Sequence, residues 1–152
     1  MLDDDLNKKL DDALKKKAER AKEADQREKK LEDDHRRITS LMREFHDNTV
    51  NPALEEAKSV FEKRKLIVAI YPEPSTRNQV PPIRSMIEIH EPNTDFKYTV
   101  KTDLVDDEWS VSTWITFTDP KTNKREQKTR SLPRGFSKKD LVNDIIDAYR
   151  EV

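Results

Sequence analysis

The sequence predicts an α+β protein in which a long, coiled-coil-like N-terminal helix precedes a small antiparallel β-meander flanked by a short helix and a C-terminal helix. Between Leu10 and Phe45, apolar residues recur with a heptad period and no proline or glycine intervenes, which is typical of a helix that packs along its length. From about Lys65 onward, apolar and polar residues alternate, as they do in strands. The predicted domains are therefore a helical segment, residues 1–47, and an α+β head, residues 51–152.

The helical segment carries a heptad seam that is a candidate for self-association. Its apolar members at the a and d positions are Leu10, Leu14, Ala21, Ala24, Leu31, Ile38, Met42 and Phe45. In a parallel pair of helices, a g residue faces the e residue of the next heptad on the other chain. Arg20 then meets Asp25, and Arg27 meets Glu32, so the charges favour a parallel homodimer.

Polar residues within the seam keep a second arrangement open. Lys17, Glu28 and His35 occupy a and d positions, and stacking Glu28 against its own copy costs stability. The alternative is a solvated single helix whose Leu31–Phe45 end packs on its own head.

The head is predicted to begin with a helix and to continue as five strands. The segment His46–Asn51 is expected to break the long helix, with Asn51 capping a second helix at about Pro52–Lys63. The strands are expected at Lys65–Tyr71, Ser85–Glu91, Phe96–Thr102, Trp109–Phe117 and Lys124–Ser131. The first is almost wholly apolar, which suits a central strand, and the last is polar, which suits an edge. A proline-bearing loop, Pro72–Pro82, follows the first strand.

The C-terminal helix is predicted from a capping box, Ser137-x-x-Asp140, that precedes an apolar run. Its apolar face should cover one side of the sheet. The predicted core of the head consists of Phe61, Ile67, Val68, Ile70, Ile87, Ile89, Tyr98, Val100, Trp109, Val111, Ile115, Ile145, Ile146 and Tyr149.

Composition argues against several kinds of chemistry. Gly135 is the only glycine in 152 residues, so the glycine-rich phosphate loops and the nucleophile elbow have no usual form here. There is no cysteine, which excludes disulfides, thiol nucleophiles and thiolate metal sites and fits a reducing compartment. The net charge of −1 gives no bulk attraction to nucleic acid or membrane.

Localisation is expected to be cytoplasmic by default. The longest apolar run, Leu66–Tyr71, is too short to span a bilayer, and the acidic start at Asp3–Asp5 does not resemble a signal peptide.

No catalytic, metal or cofactor site is predicted. His35 and His46 lie on one side of the same helix, and no motif places them close to His90, whereas zinc needs three or four converging ligands. The carboxylates of Asp106–Glu108 fit an exposed acidic turn better than acid–base catalysis.

One basic segment, residues 121–139, is a candidate anion or nucleic-acid patch. Its cations are Lys121, Lys124, Arg125, Lys128, Arg130, Arg134, Lys138 and Lys139, against Glu126 alone. Such a cluster could bind phosphates, but a charged edge strand that resists aggregation is the favoured explanation.

Together these features predict a non-enzymatic interaction or assembly protein. Its helix forms a homodimer and its head presents a surface to a partner protein. The alternative, less favoured, is a nucleic-acid-associated accessory protein that uses residues 121–139.

Overall fold

The protein was analysed as a computed structural model that describes residues 2–71, 81–92, 94–106 and 108–152. It has an α+β fold, as predicted. The helices are α1 (Leu2–Phe45), α2 (Asn51–Glu62) and α3 (Lys138–Arg150), and a π-helical turn, His46–Val50, joins the first two. The strands are β1 (Ile67–Tyr71), β2 (Ile83–His90), β3 (Phe96–Val105), β4 (Glu108–Thr118) and β5 (Arg125–Arg130). Most of the predicted loop, residues 72–80, lies outside the described residues.

The chain divides into two units, which are described separately. The N-terminal unit is Met1–Ile38 and the C-terminal unit is Thr39–Val152. Helix α1 contains 44 residues and places Asp3, Asp4 and Asp5 in its first turn, where acidic side chains stabilise the positive end of the helix dipole. None of the described helices combines the length and hydrophobicity needed to cross a membrane.

The five strands form one antiparallel sheet in the order β1-β2-β3-β4-β5, so the predicted meander is confirmed. The predicted central position of the first strand is wrong, because β1 pairs only with β2 and forms an edge. Only one face of this apolar strand is covered by the protein. Val68 and Ile70 pack against the core, whereas Ile67 and Tyr71 are exposed. An apolar run is therefore compatible with a half-exposed edge strand.

The predicted break at His46–Asn51 is also wrong, because the chain stays helical through this segment. Asn51 has helical dihedral angles, φ −63° and ψ −42°, and its backbone N–H donates to the His46 carbonyl oxygen. His46, Val50 and Asn51 are buried, so packing keeps helical a segment whose own propensities favour a turn. A π-helical turn inserts one extra residue and thereby changes which side chains face inward.

The core lies between the sheet and the α2–α3 layer. Its buried members come from both layers: Val50, Ala53, Leu54, Ala57, Phe61, Ile87, Ile89, Phe96, Tyr98, Val100, Ile115, Phe117, Phe136, Leu141, Val142, Ile145 and Ala148. Val68, Ile70, Ile146 and Tyr149 are half-buried against it.

The capping box of α3 is confirmed, since the Asp140 N–H donates to Ser137 Oγ at 3.2 Å and the Ser137 N–H donates to Asp140 Oδ2 at 3.0 Å.

Three predicted core residues are exposed instead. Ile67, Trp109 and Val111 have 69%, 41% and 39% of their surface accessible. Trp109 and Val111 lie in the first part of β4, before Thr113, which is the first buried residue along that strand. The alternation of β4 indicates the face correctly, but it does not show how far along the strand the core extends.

Candidate functional site

The candidate oligomer seam is exposed along its N-terminal part. The seam leucines Leu10, Leu14 and Leu31 are 58%, 55% and 50% accessible. Ala21 and Ala24 are exposed as well, and Ile38 is half-buried. The N-terminal unit thus presents a line of apolar side chains that the chain itself leaves in solvent.

The last two seam residues are packed within the C-terminal unit. Met42 is fully buried, and the ring centroid of Phe45 lies 5.4 Å from those of both Trp109 and Phe136, in edge-to-face geometry. This last turn of α1 therefore packs on the chain's own head, as the alternative arrangement requires for that end. The freely exposed part of the seam is Leu10–Leu31.

Strand β5 divides the basic segment between two faces of the sheet. Its register sets Glu126, Lys128 and Arg130 opposite Phe117, Ile115 and Thr113 of β4, which are core-facing. The intervening residues, Arg125, Gln127 and Thr129, lie on the other face, as the strand alternation predicts.

Several cations of the segment are held by partners from other elements. Arg130 Nη2 lies 2.8 Å from Asp144 Oδ1 and its Nη1 lies 2.5 Å from Glu151 Oε2. Arg125 pairs with Asp95 at 3.0 Å and Lys138 with Glu56 at 3.0 Å, while the Lys128 ammonium sits 5.4 Å from the Phe117 ring centroid. Arg125, Arg130 and Lys138 thus already hold carboxylates, whereas Lys128 has no carboxylate partner in these contacts.

The remaining four cations make no ion pair within the part of the chain that the structure describes. They fall in two groups, Lys121 and Lys124 before β5, and Arg134 and Lys139 after it. Because β5 has six residues, the two groups are separated by about 17 Å of strand. The cations without an ion pair therefore lie at both ends of β5, and exposed Lys128 lies between them.

Arg130 instead belongs to a half-buried network that the sequence did not reveal. Asp144 accepts hydrogen bonds from Arg130 and from the hydroxyl of buried Tyr98, the latter at 2.5 Å. Burial and the bond to Asp144 raise the pKa of Tyr98 far above its ordinary value, and the bond to Asp144 does the same for Arg130. The network ties edge strand β5 to α3 and keeps both groups protonated.

A second hydrogen-bonded tyrosine, Tyr149, lies in the last turn of α3. The Tyr149 hydroxyl donates to Glu91 Oε1, and burial together with this bond raises the pKa of Tyr149 to about 12. Its ring also packs against Phe61 and Phe96. The arrangement anchors α3 on the sheet and supplies no reactive group near neutral pH.

His46 is the centre of a buried polar cluster between the π-helical turn and the sheet. Its ring nitrogens contact Ser85 Oγ at 2.8 Å and Thr102 Oγ1 at 2.7 Å. Because the Thr102 hydroxyl also faces the Ile83 carbonyl, a ring protonated at Nε2 satisfies every group. Burial lowers the pKa of His46 to about 4, so the ring is neutral at pH 7. Ser85 is only 1% exposed, and the hydrogen bonds of the cluster join the π-helical turn to β2 and β3.

Three groups on the β2–β3 hairpin form a possible metal-ligand set. One ligand atom from each of Glu88, His90 and Asp95 lies within 4.8 Å of the other two. The sequence prediction missed this set because the closeness of Asp95 depends on where the hairpin turns.

The predicted acidic turn is exposed at Asp106 and Glu108, and Asp107 lies outside the described residues.

Comparison with known proteins gives no functional assignment. No family model matches the chain, and neither a curated protein nor a solved structure matches it significantly.

Proposed function

We propose that this chain is a non-enzymatic assembly protein, in which α1 pairs in parallel with the α1 of a second copy and the head is presented to a partner protein. The observation that carries this proposal is the exposure of Leu10, Leu14 and Leu31, each half or more accessible on one heptad seam. Large apolar residues aligned in this way are typical of an interaction face.

The size of the exposed seam indicates a modest affinity. Burying the accessible half of a leucine side chain contributes about 1 kcal/mol, and two copies contribute three seam leucines each. Association itself costs roughly 4–15 kcal/mol. Lys17 and Glu28 add nothing to burial, so the pair is expected to be weak and to dissociate on dilution.

Charge determines the direction of pairing. The flanking e residues Asp25 and Glu32 follow the g residues Arg20 and Arg27, each in the next heptad. The next g residue, Asp34, has the uncharged Thr39 as its e counterpart. A parallel pair sets g against e and matches opposite charges, whereas an antiparallel pair sets g against g and e against e, which opposes like charges. Parallel pairing also brings two heads to the same end of the helix pair, where one partner could contact both.

The alternative, nucleic-acid binding through residues 121–139, has less support. Arg125, Arg130 and Lys138 each hold a carboxylate at 3.0 Å or less. The cations that remain are too few and too far apart for more than weak, salt-sensitive phosphate contact.

A single-cysteine cross-link tests parallel pairing directly. The chain has no cysteine, so Leu14→Cys and Lys15→Cys each introduce one thiol on the same helix. Residues at position a face their own copy only in a parallel pair, whereas Lys15 lies at b, on the outside. We expect mild oxidation to cross-link Leu14→Cys rapidly and Lys15→Cys slowly. Equal rates would contradict the parallel pair.

A charge exchange tests the same helix by an independent route. A chain carrying Arg20→Glu and Arg27→Glu should be monomeric, as should a chain carrying Asp25→Lys and Glu32→Lys, because g and e then repel in each homodimer. Mixing the two should restore association in sedimentation equilibrium. Wild-type chain that stays monomeric at roughly tens of micromolar, or mixed chains that fail to associate, would overturn the proposal.

A further inference from the structure

The β2–β3 hairpin gathers three metal-ligating side chains on the sheet face that is turned away from α2 and α3. Glu88 and His90 are two residues apart, so they share that face and alternate with Ile87 and Ile89 in the core. Asp95 ends the turn with φ +42° and precedes Phe96, whose backbone pairs with Ile89. The hairpin therefore returns Asp95 to a position beside His90.

We propose that Glu88, His90 and Asp95 form a binding site for a divalent transition metal of the zinc class. One imidazole nitrogen and two carboxylate oxygens suit Zn²⁺, which takes such ligands in tetrahedral sites and often keeps a water as the fourth. An imidazole is a poor ligand for Ca²⁺ or Mg²⁺, which take oxygen ligands almost exclusively. This site is independent of helix pairing and adds a ligand class to the molecule.

The contacts of Glu88 support this assignment. Its side chain is only 14% exposed, yet its nearest cationic atoms, His90 Nδ1 and Lys97 Nζ, lie at 3.7 and 3.8 Å. These separations exceed hydrogen-bond length, so neither cation makes a hydrogen bond to this poorly hydrated carboxylate oxygen, although both form loose ion pairs with it. The 3.7 Å between Glu88 and His90 is close to the spacing of about 3.3 Å between two ligands of one tetrahedral zinc ion.

Two neighbouring cations limit the affinity and provide a distinctive test. Arg125 Nη1 contacts Asp95 Oδ2 at 3.0 Å, which leaves Oδ1 for a metal and orients the carboxylate. Lys97 has a flexible stem, and its ammonium must move away from Glu88 when a divalent ion enters. Removing the Lys97 charge should therefore strengthen metal binding, an effect opposite to that of removing a ligand.

The experiment titrates ZnCl₂ into the full chain and follows the histidine ring resonances by NMR, with CaCl₂ in a parallel titration. We expect saturable shifts of His90 at submillimolar Zn²⁺ and none with Ca²⁺. Glu88→Gln and Asp95→Asn should each weaken binding at least about tenfold, and Lys97→Gln should strengthen it. His35→Gln, on the N-terminal helix, is the matched control and should leave the affinity unchanged.

Several outcomes would overturn the site. They are the absence of saturable His90 shifts, unchanged affinity in both Glu88→Gln and Asp95→Asn, loss of binding in His35→Gln, or equal shifts with Ca²⁺. Thermal melts of each variant without metal test whether the fold is retained, above all for Glu88→Gln, because the Glu88 side chain is only 14% exposed. Helix pairing is measured separately by cross-linking at Leu14, so failure of the metal site leaves that proposal unaffected.

Discussion

His46 shows how one buried titratable side chain makes stability depend on pH. Its ring is 2% exposed and is held by two hydroxyl groups, Ser85 and Thr102, rather than by a carboxylate. Nothing in this cluster compensates a positive charge, so burial lowers the pKa to about 4 from the ordinary 6.5. The neutral ring is therefore the form that the folded state favours.

The pH dependence of unfolding follows from that shift. Well above pH 6.5, from about pH 7.5, the ring is neutral in both states and contributes no slope. As pH falls from 6.5 to 4, the unfolded chain takes up the proton first, so the free energy of unfolding should decrease by about 3 kcal/mol over that window. His46→Gln removes this titration while keeping hydrogen-bonding capacity. Urea denaturation should show the wild-type advantage over His46→Gln shrinking between pH 7 and pH 4, and a constant difference would refute the prediction.

At the scale of secondary-structure elements, the sequence predicts what local periodicity controls. The strand order, the faces of β5 and the capping box at Ser137 all follow from alternation and helix-end chemistry. The errors lie where tertiary packing decides. Burial of His46 and Asn51 overrides a segment rich in turn formers, and β1 is apolar although it is an edge strand.

The candidate sites show the same limit. The seam leucines can be found from their spacing, but whether Met42 remains available depends on contacts with residues distant in sequence. The basic segment looks continuous in the sequence, and only the register of β5 and the position of Asp144 show that Arg130 is already paired. Likewise, the proximity of Asp95 to His90 depends on the hairpin register.

Two neighbouring isoleucines in α3 test the assignment of its buried face. Ile145 is fully buried, whereas Ile146 is half-buried at the margin of the core. Ile145→Ala should lower the free energy of unfolding by about 2–5 kcal/mol, because it removes buried methyl groups and leaves a cavity. Ile146→Ala should cost less than half as much. Chemical denaturation of the two variants makes the comparison, and equal losses would show that the face is misassigned.

At the scale of the whole molecule, the question is where the independently folding part begins. The C-terminal unit starts at Thr39 and includes buried Met42 and His46. Both precede the head predicted from the sequence, residues 51–152. A chain that begins at residue 51 lacks the side chain of Met42 and the edge-to-face contacts of Phe45 with Trp109 and Phe136.

Two truncated chains distinguish these boundaries. Residues 39–152 should melt cooperatively and close to the temperature of the full chain, because every buried contact of the C-terminal unit is kept. Residues 51–152 should melt several degrees lower, since loss of a buried methionine alone costs about 2–5 kcal/mol. Equal melting temperatures would show that the end of α1 adds nothing to the core.

Both truncated chains should also be monomeric in sedimentation equilibrium, because they lack Leu10, Leu14 and Leu31. A dimer of residues 39–152 would place self-association in the C-terminal unit and remove the assembly role from the exposed seam.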